Sequence, residues 1–161
     1  MDLNVIGVTP AKQKQFNKKG IMTVENLIGY IPYKYNDYRF PKNIRELNDG
    51  DNVSIIGKVV SFSSTIKKAV SIKIEDNNGD RLDVIWFNQL YVARMINIGS
   101  TYIFCGKVTF NKYTFKLQMA NPAFSCYINK YKRIIPIYHK IKGMSDDYLN
   151  KKINSALSVF K

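Results

Sequence analysis

The feature that most constrains the fold is a change of hydrophobic period near Asn52. From this point apolar residues recur at every second position, which is the spacing of half-buried β-strands. The clearest run has Val70, Ile72 and Ile74 separated by polar residues. Such a segment buries one face in a sheet, so the chain beyond Asn52 is predicted to be mainly β.

Five strands and one short helix are predicted there, in the order strand-strand-strand-helix-strand-strand. The strands run through Val53 to Phe62, Val70 to Ile74, Leu82 to Trp86, Tyr102 to Val108 and Tyr113 to Met119, and the helix spans Asn88 to Asn97. In this assignment a tight turn at Asn111 and Lys112 precedes the last strand, which carries Tyr113 and Phe115. The order is typical of the OB-fold, a five-stranded barrel whose sheet face and flanking loops bind oligonucleotides.

Helices are predicted on either side of the barrel. The N-terminal segment contains a helix beginning near Pro10 and a second helix that Thr23 caps and Pro32 ends. Ser145 caps a C-terminal helix whose apolar stripe continues to Phe160, so we expect that stripe to pack on a partner. The predicted domains are an N-terminal helical segment with a basic and aromatic connector (1–45), the OB-fold barrel (46–128), and a basic linker with the C-terminal helix leading toward a motor domain outside the sequence (129–161).

Charge points to a polyanionic partner. Lys and Arg number 25 against 12 Asp and Glu, which gives a formal net charge of +13. No acidic residue occurs between Val84 and Ser145. The cations in that window include Arg94, Lys107 and Lys116. A genome biased toward lysine codons would raise the lysine count, but it would not explain why acidic residues are missing from this window. Nucleic acid is therefore the favoured partner.

Patterns that other function classes require are missing from the sequence. No apolar run reaches the about 20 residues of a membrane helix, and the N-terminus has no signal-peptide pattern, so we expect a cytoplasmic protein without membrane contact. His139 is the sole histidine, and no Gly-Lys pair has the spacing of a phosphate-binding loop. We therefore predict no catalytic residue, metal or cofactor for this chain. Cys105 and Cys126 are predicted to be core residues.

Candidate nucleic-acid-binding residues fall in two groups. Phe87 and Tyr91 lie where the third strand becomes the helix, and alternation points Phe87 away from Trp86. If Trp86 is in the core, Phe87 is exposed and able to stack on a base; the alternative is that Phe87 packs beneath the helix. Lys67 and Lys68 lie in the loop between the first two strands, which contacts oligonucleotides in OB-folds or is simply solvated. The remaining candidates are the cations Lys107, Lys116 and Arg94.

Several motifs resemble the RecG family of ATP-dependent DNA branch-migration helicases. Residues 7–10, 20–27 and 31–37 resemble the opening of that family. The run Trp-Phe-Asn-Gln-Leu-Tyr at 86–91 resembles the family's wedge-domain signature, and residues 136–145 resemble the stretch that joins the wedge to its motor. Together these motifs span almost the whole chain in the family's order.

The resemblance implies an OB-fold wedge that binds branched or forked DNA and single-stranded DNA, in replication-fork reversal, branch migration, DNA repair and recombination. It implies that rings at Phe87 and Tyr91 cap the bases where strands part. It also implies that the helicase motor domains of the parent chain are partners, and that ATP and magnesium belong to those domains only. The sequence departs from the family at Thr9, where a glycine is common, and at 121–123, where Asn-Pro-Ala replaces His-Pro-Glu.

Two other functions remain open on the sequence. One is a protein-interaction module that docks a partner through the aromatic and basic segment from Tyr33 to Arg45. The other is an OB-fold of the tRNA-binding type, which would prefer RNA.

Overall fold

The computed structural model describes residues 1–63 and 68–161. These form two compact units, one made of Asn36–Ile135 and the other of Met1–Tyr35 with Pro136–Lys161. We call the second the helical unit. The predicted domain boundaries at 45 and 128 differ from the limits of these units and stay a prediction.

The helices are α1 (Pro10–Asn17), α2 (Val24–Ile28), α3 (Val92–Met95) and α4 (Asp146–Val159). The strands are β1 (Lys34–Asp37), β2 (Asn52–Ser63), β3 (Ala69–Glu75), β4 (Arg81–Phe87), β5 (Thr101–Asn111), β6 (Lys116–Ser125) and β7 (Ile134–Ile137).

Strands β2 to β6 form a closed barrel in the order β2-β3-β4-β6-β5, with β5 pairing back to β2. Neighbouring strands are antiparallel except β4 and β6, which are parallel. This order, with α3 between β4 and β5 in the sequence, confirms the predicted mainly β class and the OB-fold barrel with flanking helices. Helix α3 is shorter than the predicted 88–97, because the chain is already extended at Ile96.

The period-two alternation of β3 and β4 fills the barrel. Register places Ile72 opposite Val84 and Val70 opposite Trp86, and all four side chains are buried. A slip of one residue would turn this set to the outside, so burial fixes the register. Close packing also explains Gly57 in β2, because an added Cβ would lie 2.9 Å from Ile74 Cδ1.

The predicted start of the last strand was wrong. Strand β6 begins at Lys116, so Tyr113 and Phe115 lie in the turn after β5. The Asn111 side-chain oxygen accepts hydrogen bonds from the Tyr113 N–H at 2.9 Å and the Thr114 N–H at 3.3 Å, which bends the chain. Phe115 then adopts a φ of +53°, in the left-handed region that strands do not use.

Part of the connector is a strand, β1, which pairs with β7 in a two-stranded sheet. The N–H of Tyr33, just before β1, donates to the Ile137 carbonyl at 3.0 Å. Pro41 and the residues around it are not in a strand, as expected of proline.

Both predicted helix caps in the helical unit are confirmed. The Thr23 hydroxyl accepts from the Asn26 N–H at 3.2 Å, and the Ser145 hydroxyl accepts from the Tyr148 N–H at 3.2 Å. Helix α2 ends at Ile28, before the predicted stop at Pro32.

The apolar stripe of α4 is only partly covered. Leu149, Ile153 and Ala156 are buried in the core of the helical unit, whereas Leu157 and Phe160 are exposed. No helix within residues 1–63 and 68–161 is long and apolar enough to cross a membrane.

Candidate nucleic-acid interface

The end of β4 combines a buried ring with an exposed one. Trp86 is 1% exposed, and its indole N–H donates to the Pro122 carbonyl at 2.9 Å. Phe87 points the other way and is 46% exposed, as alternation predicts. Because the core holds Trp86 on both its apolar and its polar side, the backbone that carries Phe87 is fixed.

Neighbouring strands hold the same stretch of backbone through hydrogen bonds. The Phe87 N–H donates to the side-chain oxygen of Asn121 in β6 at 2.9 Å. The Asn88 N–H donates to the Lys68 carbonyl, just before β3, at 2.7 Å. Tyr91, which is 59% exposed, follows on the first turn of α3. We call Lys68, Phe87, Asn88, Tyr91 and Asn121 the aromatic rim.

Asn121 is a rim residue to which the sequence assigned no role. Its φ is +48° and that of Asn88 is +57°, a conformation that asparagine adopts more readily than most residues. The left-handed turn aims the Asn121 side chain at the Phe87 backbone, and Pro122 accepts the Trp86 hydrogen bond. An Asn-Pro pair inside an apolar strand is a local irregularity, which was the available signal.

The predicted cations are placed unequally around this rim. Lys68, a member of the rim, is exposed with a φ of +68°, and Lys67 lies outside the described residues. Arg94 is exposed on α3, where its N–H donates to the Tyr91 carbonyl at 3.1 Å. Lys107 is exposed on β5 and pairs with Ala120, the neighbour of Asn121. Lys68 and Arg94 thus lie in segments that are hydrogen-bonded to the backbone of the rim, whereas Lys107 is on β5, with β6 between it and β4.

Lys116 does not belong to the rim. It is exposed at the start of β6, at the barrel end where β4 begins, because β6 runs parallel to β4. It lines a groove of about 310 Å³ with Ile44, Leu47 and Arg81. Among the salt bridges between described residues, none involves Lys116, Lys107 or Arg94.

A second set of exposed rings surrounds Lys116. Tyr113 is 95% exposed and Phe115 is 80% exposed. The Phe115 ring meets Phe110 edge-on, with centroids 6.5 Å apart. Sequence reasoning missed this set because strand alternation assigned Tyr113 and Phe115 to β6.

The two cysteines and the histidine lie in three different environments. Cys105 is buried, and burial raises the pKa of its thiol to about 12, so it stays protonated. Cys126 is exposed, and its prediction as a core residue was wrong because β6 ends one residue earlier. The His139 ring stacks on Tyr33 with centroids 4.5 Å apart. No group of three or more potential metal ligands occurs in the described part of the chain.

The chain is similar to known proteins over almost its whole length. The family model of the RecG wedge domain matches residues 4–160. The ATP-dependent DNA helicase RecG of Thermotoga maritima is 28% identical over 150 residues, covering 90% of this chain and 19% of that protein. RecG of Bacillus subtilis is 26% identical over 162 residues, covering 98% of this chain and 23% of that protein.

A solved structure of RecG bound to a three-way DNA junction superposes with a TM-score of 0.80 at 26% identity. The superposition covers 96% of this chain and 22% of that one. The chain thus spans about a fifth of the length of the RecG proteins it matches. Because the family model covers nearly every residue, the chain belongs to the RecG wedge domain family.

Proposed function

We propose that this chain is the branched-DNA-binding wedge of a RecG-type ATP-dependent helicase, acting in replication-fork reversal, branch migration, repair and recombination. One observation carries the proposal: Phe87 and Tyr91 are exposed on a hydrogen-bonded rim of an OB-fold barrel. In the free protein an exposed ring faces water, whereas stacking on an unpaired base stabilises the complex by roughly 1–3 kcal/mol per base.

The rim and the cations have different tasks in this proposal. Phe87 and Tyr91 stack on the bases that become unpaired where strands part. Lys68, Arg94 and Lys107 contact phosphates, which hold any nucleic acid regardless of its sequence. Because Asn121 and Trp86 fix the Phe87 backbone, the side from which the ring projects is set before DNA arrives.

Strand separation by such a wedge is passive. We propose that the helicase motor domains of the parent protein move the DNA and use ATP and magnesium, and that this chain catalyses no reaction itself. The curated relatives are ATP-dependent helicases about five times as long as the matched region, which supports that division of labour.

Titration of the chain against a duplex, a fork and a single strand at several salt concentrations tests the proposal. We expect the fork to bind more tightly than the duplex, and log affinity to fall linearly with log salt by roughly 0.9 per phosphate contact on duplex DNA. Absence of binding at low salt would overturn the nucleic-acid function and favour the protein-interaction module. Clear preference for structured RNA over the fork would favour the tRNA-binding type.

A further inference from the structure

The tip of the β5–β6 hairpin displays aromatic rings that the proposed rim does not use. Tyr113 and Phe115 project almost fully into solvent, and Phe110 supports the Phe115 ring from the side. The Asn111 side chain holds the turn by accepting two backbone N–H groups. A hairpin kept in shape by its own turn, with its largest apolar side chains outward, is typical of a contact surface.

The backbone at Phe115 strengthens this interpretation. A left-handed φ of +53° is unfavourable for a bulky residue, and strained residues of this kind cluster at functional sites. Glycine or asparagine at this position would make the same turn with less strain. The chain instead places an aromatic ring there and leaves it in water.

Charge around the hairpin favours an anionic occupant. Lys112 and Lys116 flank the two rings, and both are exposed. Asp49, in the loop before β2, contacts the hairpin, because its carboxylate accepts the Phe110 N–H at 2.9 Å. In the adjoining groove Asp83 is paired with Lys73, with the ammonium nitrogen and the carboxylate oxygen 3.5 Å apart. Asp83 is thus charge-paired, while among the described residues no salt bridge involves Lys116.

The hairpin and the aromatic rim lie at opposite ends of β4. Parallel pairing puts Asp83 opposite Gln118 and Ile85 opposite Ala120, so the hairpin lies near Arg81 and the rim lies beyond Phe87. A strand rises about 3.3 Å per residue, which separates the two ends by roughly 20 Å. OB-folds occupy about 4 to 16 nucleotides, so one strand is long enough to reach both ends.

We propose that the β5–β6 hairpin is a second single-strand contact, in which Tyr113 and Phe115 stack on unpaired bases and Lys112 and Lys116 contact the flanking phosphates. The inference rests on the proposed function and extends it, because it routes a single strand along the barrel from the aromatic rim to the hairpin. Rings flanked by cations fit nucleobases joined by phosphates; an acidic peptide offers charge without a regular series of planar faces.

Binding of a fluorescein-labelled oligothymidylate of about 16 nucleotides tests the inference. The paired change Tyr113→Ala and Phe115→Ala is expected to weaken binding at least about fivefold, the lower end of the effect of one lost stacked base. Affinity for a blunt duplex should not change, because a duplex offers no unpaired base. The matched control is Tyr127→Ala, which removes a similarly exposed ring beyond the other end of β6 and should leave the affinity as it is.

Two further variants separate contact from folding. Phe115→Asn suits the left-handed turn, so we expect an unchanged or higher melting temperature together with weaker strand binding. Phe115→Trp places an indole at the tip, and its fluorescence should be quenched by the strand relative to the native protein, whose single Trp86 is buried.

The outcomes distinguish this inference from the proposed function. If the native chain binds the strand and the Tyr113→Ala, Phe115→Ala variant binds it equally well, the hairpin inference is overturned and the DNA-binding function stands. If the native chain binds no DNA, both are overturned. If polyglutamate binds in a manner that needs Tyr113 and Phe115 and displaces no DNA, the hairpin is instead a site for acidic peptides.

Discussion

The two ends of the barrel display aromatic rings by different physical means. At the rim Phe87 is held from inside, because its backbone is bonded to Asn121 and its neighbour Trp86 fills the core. At the hairpin Tyr113 and Phe115 are held by a local turn that contributes little to the core. Geometry at the rim therefore depends on core packing and on a contact between strands, whereas the turn at the tip of the hairpin is shaped by the local hydrogen bonds of Asn111.

The largest expected effect is a difference in how much a lost ring at each end of the barrel lowers the free energy of unfolding. Trp86→Ala removes a fully buried ring and leaves the Pro122 carbonyl without its donor, so we expect the free energy of unfolding to fall by about 3–5 kcal/mol. Tyr113→Ala removes an exposed ring and should change it by no more than about 0.5 kcal/mol. Urea unfolding of both variants measures this contrast, and similar losses for the two would refute it.

A smaller effect is expected from the hydrogen bond that fixes the rim. Asn121→Gly keeps a residue that tolerates the φ of +48° but removes the oxygen that accepts the Phe87 N–H, at a cost of about 1 kcal/mol. Asn121→Asp retains an oxygen acceptor and serves as the matched control.

Amide hydrogen exchange at Phe87 reports this bond directly. We expect faster exchange in Asn121→Gly than in Asn121→Asp, with the hairpin amides unaffected in both variants. Equal exchange at Phe87 in the two variants would show that Asn121 does not position the rim.

The smallest expected effect is a pH dependence at the hairpin end, where Asp76 holds the β3–β4 turn. Burial by itself raises the pKa of the Asp76 carboxyl, but hydrogen bonds from the N–H groups of Ile44, Asn78 and Asp80 outweigh it, and the net pKa is lowered. A lowered folded pKa means that this stabilisation is present at neutral pH and is lost as pH falls below about 4.

Asp76→Asn tests that dependence because it cannot carry the charge. The difference in the free energy of unfolding between the native chain and the variant should shrink as pH falls from about 5 to about 2. The midpoints of urea unfolding at each pH measure this difference. A difference that stays constant over this range would contradict the assignment.

Alternation was sufficient to predict the barrel and the opposite directions of Trp86 and Phe87. Both depend on burial of one face of a strand, and the alternation of apolar and polar residue types indicates which face is buried. The hairpin was not predictable in this way, because Tyr113 and Phe115 fit the strand pattern by residue type. Only the hydrogen bonds of Asn111 and the φ of Phe115 place them in a turn.

Asn121 shows a second limit of sequence reasoning. Its oxygen accepts from a backbone N–H 34 residues away, and the local Asn-Pro irregularity does not indicate which distant group that oxygen binds. The exposure of Cys126 has the same origin, because it depends on the residue at which β6 stops pairing. Lys67 and the assigned roles of Phe87 and Tyr91 stay predictions.

In the proposed function, rings at the rim recognise unpaired bases while cations bind phosphate. The paired change Phe87→Ala and Tyr91→Ala tests it most directly, after melting curves have shown that the variant is folded. We predict that the preference for a fork over a duplex falls at least about fivefold while the salt slope on duplex stays unchanged. The comparison variant, Lys107→Gln with Lys68→Gln, should weaken fork and duplex alike and flatten the slope. A folded Phe87→Ala, Tyr91→Ala variant that keeps the native fork preference would contradict the account.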